Sequence, residues 1–142
     1  MIIPDLNILL YAVDRSSIHH RKAKFWLEHT VNERMEQLGL PWAVYLGFLR
    51  LTTSTRVFRK PLTIDQACGW IDNLVEHPFC TFVNPGKAHR GIMRNLLLQT
   101  GTAANLVSDA HLAALALEND ATLVTGDRDF LRFPSIKVHV LF

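Results

Sequence analysis

The chain has 142 residues, 49% of them hydrophobic and 20% charged, with a formal net charge of +2 at pH 7. That length argues for one domain, residues 1–142, able to bury roughly 68–70% of the surface its unfolded form exposes, and the composition is that of an ordinary globular protein. No apolar run approaches the roughly 18–20 residues that cross a bilayer, and the start Met1-Ile-Ile-Pro4 lacks a secretory leader's basic opening, so no membrane is expected and the cytoplasm is the expected location.

So small a net charge does not by itself announce a nucleic-acid partner. Cys68 and Cys80 have neither metal-ligand spacing nor the number of a disulfide framework, and Cys68 reads as a small core residue.

Taken in order, Ile2-Ile3-Pro4 reads as a first strand, ended where proline interrupts a ladder. Asp5 follows at the strand's carboxyl end, and Leu6 to Val13 turns helical, with Asn7 and Tyr11 four apart. His19 to Val31 forms an amphipathic helix. Four Lys/Arg and two histidines lie between Arg15 and Lys24, with no acid from Arg15 to Leu27.

Leu38-Gly-Leu-Pro41 is a second, weaker strand pattern, followed by an apolar helix from about Trp42 to Leu51. Thr52 to Pro61 is a polar, basic connection, and no Asp or Glu occurs from Gln37 to Ile64. Thr63 caps the next helix, with Gln66 completing a capping box. That helix runs to about Glu76 with Ile64, Ala67, Ile71, Leu74 and Val75 on its apolar side. Cys80-Thr-Phe-Val83 is a third strand, and Lys87 to Thr100 a helix with Ile92, Met93, Leu96 and Leu97 inward and Lys87, Arg90 and Arg94 outward.

The stretch from Asn105 to Phe130 carries the densest information. Ala110 to Leu117 is apolar on nearly every face, as in a core helix, and opens with Ser108 as N-cap and Asp109 in its first turn. Leu123-Val-Thr125 then reads as a buried strand ended by Gly126-Asp127-Arg128-Asp129. Ile136 to Leu141 is a last alternating strand. Five strands separated by helices predict an α/β domain with a mostly parallel central sheet flanked by helices.

Asp5, Asp109 and Asp127 all stand at strand ends or a helix start, where open α/β sheets bind ligands. Asp129 is a fourth acid, a ligand or a brace for the loop. Each could merely cap a helix or turn, a common role for Asp, but three of them in one fold point to a shared site. Carboxylates gathered together repel unless protons or a cation intervene, and an all-oxygen set suits Mg²⁺ or Mn²⁺, not zinc. Phosphodiester hydrolysis fits such a site with basic flanks.

Four segments, Asp5-Leu-Asn-Ile-Leu-Leu-Tyr-Ala, Gly47-Phe-Leu-Arg-Leu-Thr-Thr, Asn105-Leu-Val-Ser-Asp-Ala-His-Leu-Ala-Ala-Leu-Ala and Thr125-Gly-Asp-Arg-Asp-Phe, together resemble a PIN domain of the VapC toxin type. The resemblance covers essentially the whole chain in order. It implies a PIN-like fold and a Mg²⁺-dependent endoribonuclease, usually a homodimer, held in check by a VapB-type antitoxin. It implies metal-binding roles for Asp5 and Asp109, a further acid in Asp127 with Asp129 beside it, and supporting hydrogen bonds from Asn7 and Thr125. One position departs from the pattern: Gly47 stands where many such domains have a glutamate, which puts a two-metal mechanism in question. A catalytically silent RNA- or protein-binding domain is the alternative that this loss suggests. A phosphoacceptor signalling domain would need an early acidic pair and a late strand-end lysine, which this sequence lacks.

Arg15, Arg50, Arg56, Arg59 and Lys60 are the leading candidates for an RNA-holding surface, with Arg21, Lys22, Arg90 and Arg128 as further ones. The competing reading is a solvated helix face, strongest for the block from Arg15 to Lys24. His111 lies two residues from Asp109 and so off its helix face; it reads as a packed or solvent-edge histidine, and no histidine pairing suggests a metal. Trp26, Trp42, Trp70 and Phe48 read as core or dimer-interface residues. Tyr45, Phe48, Ile71 and Leu74 could form a seam between copies or belong to the core.

Overall fold

A computed structural model describes residues 1–33 and 36–142. Five strands, β1 (Ile2–Pro4), β2 (Leu38–Pro41), β3 (Cys80–Val83), β4 (Thr122–Thr125) and β5 (Lys137–Val140), form one sheet in the order β3-β2-β1-β4-β5. Every pairing is parallel. The helices are α1 (Leu6–Val13), α2 (His20–Asn32), α3 (Trp42–Thr52), α4 (Ile64–Val75), α5 (His89–Thr100) and α6 (Leu106–Glu118), with a 3-10 turn over Arg128–Arg132.

The central strands explain themselves chemically. Leu123, Val124 and Thr125 are at most 1% exposed, as expected of a parallel strand covered on both faces. Alternation divides them: Leu123 joins the main core with Ile3, Phe48 and Phe130, while Val124 packs with Ile8 and Leu141 in a smaller cluster. Around the sheet, α1 packs on α2 and α3, α3 on α4, and α5 on α6. The weak pattern Leu38–Pro41 is a strand after all, buried at all four positions.

Several local expectations hold at residue level. Thr63 and Gln66 close the capping box of α4 reciprocally, at 3.2 and 3.0 Å. Cys68 and Cys80 are both free, and burial pushes the Cys80 thiol up to about 11, so it is a packed, unreactive group. Phe48 and Ile71 are 0% exposed and Leu74 is 7%, which assigns these three to the core. Tyr45 sits at its margin, edge-on to Phe82 at 5.7 Å.

Others need correction. Ser108 does not cap α6: the helix begins at Leu106 with Asn105 at the cap, because Leu106 and Val107 bond back to Ala103 and Ala104 and start the turn early. Ile64 is 74% exposed, since the first turn of α4 projects beyond the core. α5 starts at His89, not Lys87. The last strand is shorter than the alternation suggested, ending at Val140. Among the described residues, no helix is long and apolar enough to cross a membrane.

Candidate active site

The order β3-β2-β1-β4-β5 places β1 at the centre: the chain runs outward from β1 through β2 to β3, then crosses back to β4 and β5 on the other side of β1, so the order reverses between β1 and β4. The crevice outside the carboxyl ends of such neighbours is where open α/β sheets bind ligands. Pro4 pairs with Val124, so the next residues of both strands, Asp5 and Thr125, come together there although 120 positions apart.

Asp5 is 8% exposed and caps α1. Its Oδ1 accepts the Leu6 N–H at 2.7 Å. Its Oδ2 accepts the Thr125 hydroxyl and an amide N–H of Asn7, each at 2.7 Å. Asn7 Oδ1 in turn accepts the Gly126 N–H at 3.0 Å, and Thr125 Oγ1 accepts the Asp127 N–H at 2.9 Å. Asn7 and Thr125 therefore aim the Asp5 carboxylate and brace the turn that follows β4.

Burial raises the pKa of Asp5 above the ordinary carboxylate value. Hydrogen bonds from Thr125 and Leu6 oppose that rise, and the charge of Asp127 adds to it. Asp109, half-buried at the start of α6, is pushed up to about 6 by burial and then by the charges of Asp5, Asp127 and Asp129. The four acids therefore share one electrostatic neighbourhood. Asp127 and Asp129 are exposed, and Asp127 Oδ1 accepts the Asp129 N–H at 2.8 Å, so the Asp127 carboxylate braces this turn and Asp129 contributes only its backbone N–H.

Among the described residues, no three His, Cys, Asp or Glu side chains form a ready-made cage for a metal ion. The charges of neighbouring acids help to raise both Asp5 and Asp109, a like-charge repulsion that a cation would relieve. The donor set nonetheless fits a hard divalent cation that retains several waters and needs only one or two carboxylates. Gly47 adds no oxygen. It is buried in α3, and a Cβ there would lie 2.6 Å from Leu6 Cδ2, so the place of a side chain is filled by the first residue of α1.

The basic candidates divide. Arg15, Arg59 and Lys60 line one cleft of about 620 Å³, together with His20 and Lys24, which the sequence reading did not single out for binding. Arg21, Lys22, Arg50 and Arg56 are exposed but lie outside that lining, and Arg90 lines a separate recess with Arg94 and Leu97. Arg128 is exposed between Asp127 and Asp129.

The histidines also hold a pairing that spacing alone concealed. His89 Nε2 lies 2.8 Å from His111 Nδ1, and His89 Nδ1 lies 2.7 Å from Glu118 Oε2. Burial lowers the pKa of His111, helped by His89 and opposed by Glu118. His111 is thus packed, as expected, but against α5 and with a partner 22 residues away.

Comparison with known proteins agrees with this architecture. The PIN domain pattern matches residues 2–136. The chain is 39% identical over 137 residues to Ribonuclease VapC37 and to Ribonuclease VapC33 of Mycobacterium tuberculosis, covering 96% of this chain and 94% and 95% of theirs. Among solved structures, it resembles VapBC2 from Rickettsia felis, bound to a DNA fragment from their promoter, with a TM-score of 0.72 at 19% identity and 98% of each chain covered. VapBC-1 from nontypeable Haemophilus influenzae gives a TM-score of 0.67 at 18% identity, over 99% of this chain and 98% of that one. The chain belongs to the PIN-domain family, within its VapC group.

Proposed function

We propose that this chain is a divalent-metal-dependent endoribonuclease toxin of a toxin–antitoxin pair, acting on RNA in the cytoplasm as a homodimer and restrained by a VapB-type antitoxin. The observation that carries the reading is Asp5 at the carboxyl end of β1, hydrogen-bonded to Thr125 at the end of β4, with Asp109 of α6 in electrostatic reach of Asp5, Asp127 and Asp129, in a chain whose relatives bear the name ribonuclease. The related solved structures being VapBC assemblies supports the antitoxin partner.

Asp5 and Asp109 are the residues that would hold Mg²⁺ or Mn²⁺. When bound, such an ion supplies Lewis-acid stabilisation of charge on a phosphoryl oxygen and eases deprotonation of water. Asp5 enters the reaction already oriented, since Thr125 and Asn7 fix one oxygen and the Leu6 N–H the other. Asp127, exposed at the mouth, orients the attacking water and accepts its proton. In-line attack on phosphorus breaks the bond to the 3′ oxygen, which takes up a proton and leaves as a 3′-hydroxyl, with a 5′-phosphate on the other fragment. Arg15, Arg50, Arg56, Arg59 and Lys60 supply the cationic surface that attracts the strand.

Isosteric Asp5→Asn and Asp109→Asn, made separately, should each abolish metal-dependent cleavage of single-stranded RNA with unchanged far-UV circular dichroism. Retained activity in both would defeat the assignment. A second reading, a catalytically silent binding domain, is favoured by one observation: Leu6 fills the place of the missing acid at Gly47. Calorimetric titration with Mn²⁺ separates the two, because a silent domain would show no saturable binding.

A further inference from the structure

The cleft beside Arg15, Arg59 and Lys60 is amphipathic. Its cationic rim meets an apolar wall that includes Val13, Phe58, Leu62 and Trp70. Trp70 is stacked on buried Phe48, with ring centroids 4.8 Å apart and planes inclined by 21°. Its ring is therefore fixed before anything enters. Arg15, Arg59 and Lys60 form no ion pair among the described residues. The one acid in the lining, Asp14, directs Oδ1 to the N–H and hydroxyl of Ser16 at 3.0 and 2.6 Å.

Two polar side chains in the lining have settled hydrogen-bonding roles. His20 Nδ1 lies 2.9 Å from the Tyr11 carbonyl oxygen, which can only accept, so Nδ1 carries the proton and Nε2 of the neutral ring is an acceptor. Gln66 Oε1 accepts the Thr63 N–H, which leaves the Gln66 amide hydrogens as donors. A ring platform, phosphate-seeking cations and one donor and one acceptor for a base edge are the elements that read single-stranded nucleic acid.

Position agrees with chemistry. Asp5 caps the N-terminus of α1, and Ala12 and Val13 of its last turn line the cleft. Eight helical residues span about 12 Å, a distance that a few nucleotides of extended strand bridge. Among the described residues no strand contributes to the lining, so the cleft offers no backbone ladder for strand addition by an extended polypeptide.

We propose that this cleft is a nucleotide subsite of the nuclease: it receives one unstacked base of a single-stranded RNA against Trp70, while Arg59 and Lys60 hold adjacent phosphates. The assignment rests on the ribonuclease reading and specifies where substrate selectivity arises.

The test uses the intact chain in EDTA with short RNA oligomers carrying a single abasic site at successive positions. Fluorescence anisotropy should find one position where loss of the base weakens binding about tenfold, a typical value for one stacked base. 4-Thiouridine at that position should cross-link to the peptide containing Trp70. Arg59→Ala/Lys60→Ala, at exposed sites, should lower the slope of log Kd against log salt by about 1.4, or roughly 0.7 per phosphate contact on a single strand. With Mg²⁺ present, it should raise KM far more than it lowers kcat.

A flat abasic scan, a cross-link elsewhere or an unchanged salt slope overturns the subsite. So does a double variant that binds RNA normally yet escapes inhibition by its antitoxin, which would make the cleft a protein-docking groove. If the wild-type chain cleaves no RNA with Mg²⁺ or Mn²⁺ while the single sensitive position persists, the subsite stands and the ribonuclease reading falls.

Discussion

Asp109 shows how a single side chain can oppose stability and serve function. Its pKa of about 6 in the folded chain, against an ordinary 3.8, means that the fold keeps a proton which the unfolded chain releases between those values. Stability in EDTA therefore falls as pH rises from about 3.8 to about 6, and stays at the lower level above that window. A cation needs the ionised form, so the apparent affinity for Mg²⁺ should strengthen as pH rises through about 6. Asp109→Asn removes the repulsion, so calorimetry at pH 7.5 in EDTA should show a Tm raised by a few degrees in a chain that no longer cuts RNA. A lowered Tm would contradict this account. Gly47 makes a different point at the same scale. Restoring an acid there with Gly47→Glu must push aside the Leu6 Cδ2 methyl, which would lie 2.6 Å from the new Cβ, and force Leu6 to repack between α1 and α3. We expect no gain in activity and a loss of about 1–3 kcal/mol in urea denaturation, typical of overpacking.

Among the elements, α5 and α6 are joined by a polar clamp inside an otherwise apolar contact. Glu118 accepts the Gly86 N–H at 3.0 Å through one oxygen and meets His89 through the other, while His89 reaches His111. His89 is 7% exposed, so its partners cannot be replaced freely by water. Glu118→Ala should cost about 1–3 kcal/mol, the penalty for leaving a buried polar group unpartnered. Urea denaturation of this variant and of Glu118→Gln, which retains an acceptor, checks that: equal losses in the two would point to packing instead. The same helix pair carries Asp109 on α6, and the early start of that helix at Leu106 sets where the acid stands relative to Asp5.

At the scale of the whole molecule, the site is a meeting of distant segments and should respond to a cation as a unit. A cation that binds the folded chain and not the unfolded one stabilises it by mass action, so Mg²⁺ at a hundredfold excess over its Kd should add about 2.7 kcal/mol. Thermal scans across a MgCl₂ series at pH 7.5 should show Tm rising in the wild-type chain and static in Asp109→Asn. A rise of equal size in both would place the bound ion away from the acids.

The sequence by itself determined the elements and several of their ends. Hydrophobic period, proline and glycine placement and capping residues act over a few neighbours, which is why β1, α3, the capping box of α4 and the boundary acids Asp5, Asp109 and Asp127 were legible. Short-range pattern was least informative where chain turns compete, as at Ser108 and Lys87. What only the tertiary structure decided were the encounters between elements: Thr125 against Asp5, His89 against His111, Leu6 in the space beside Gly47, and Arg15 in one cleft with Arg59 and Lys60. Those depend on sheet order and helix packing, which are set by contacts summed over the whole core and leave no periodic trace in any one segment.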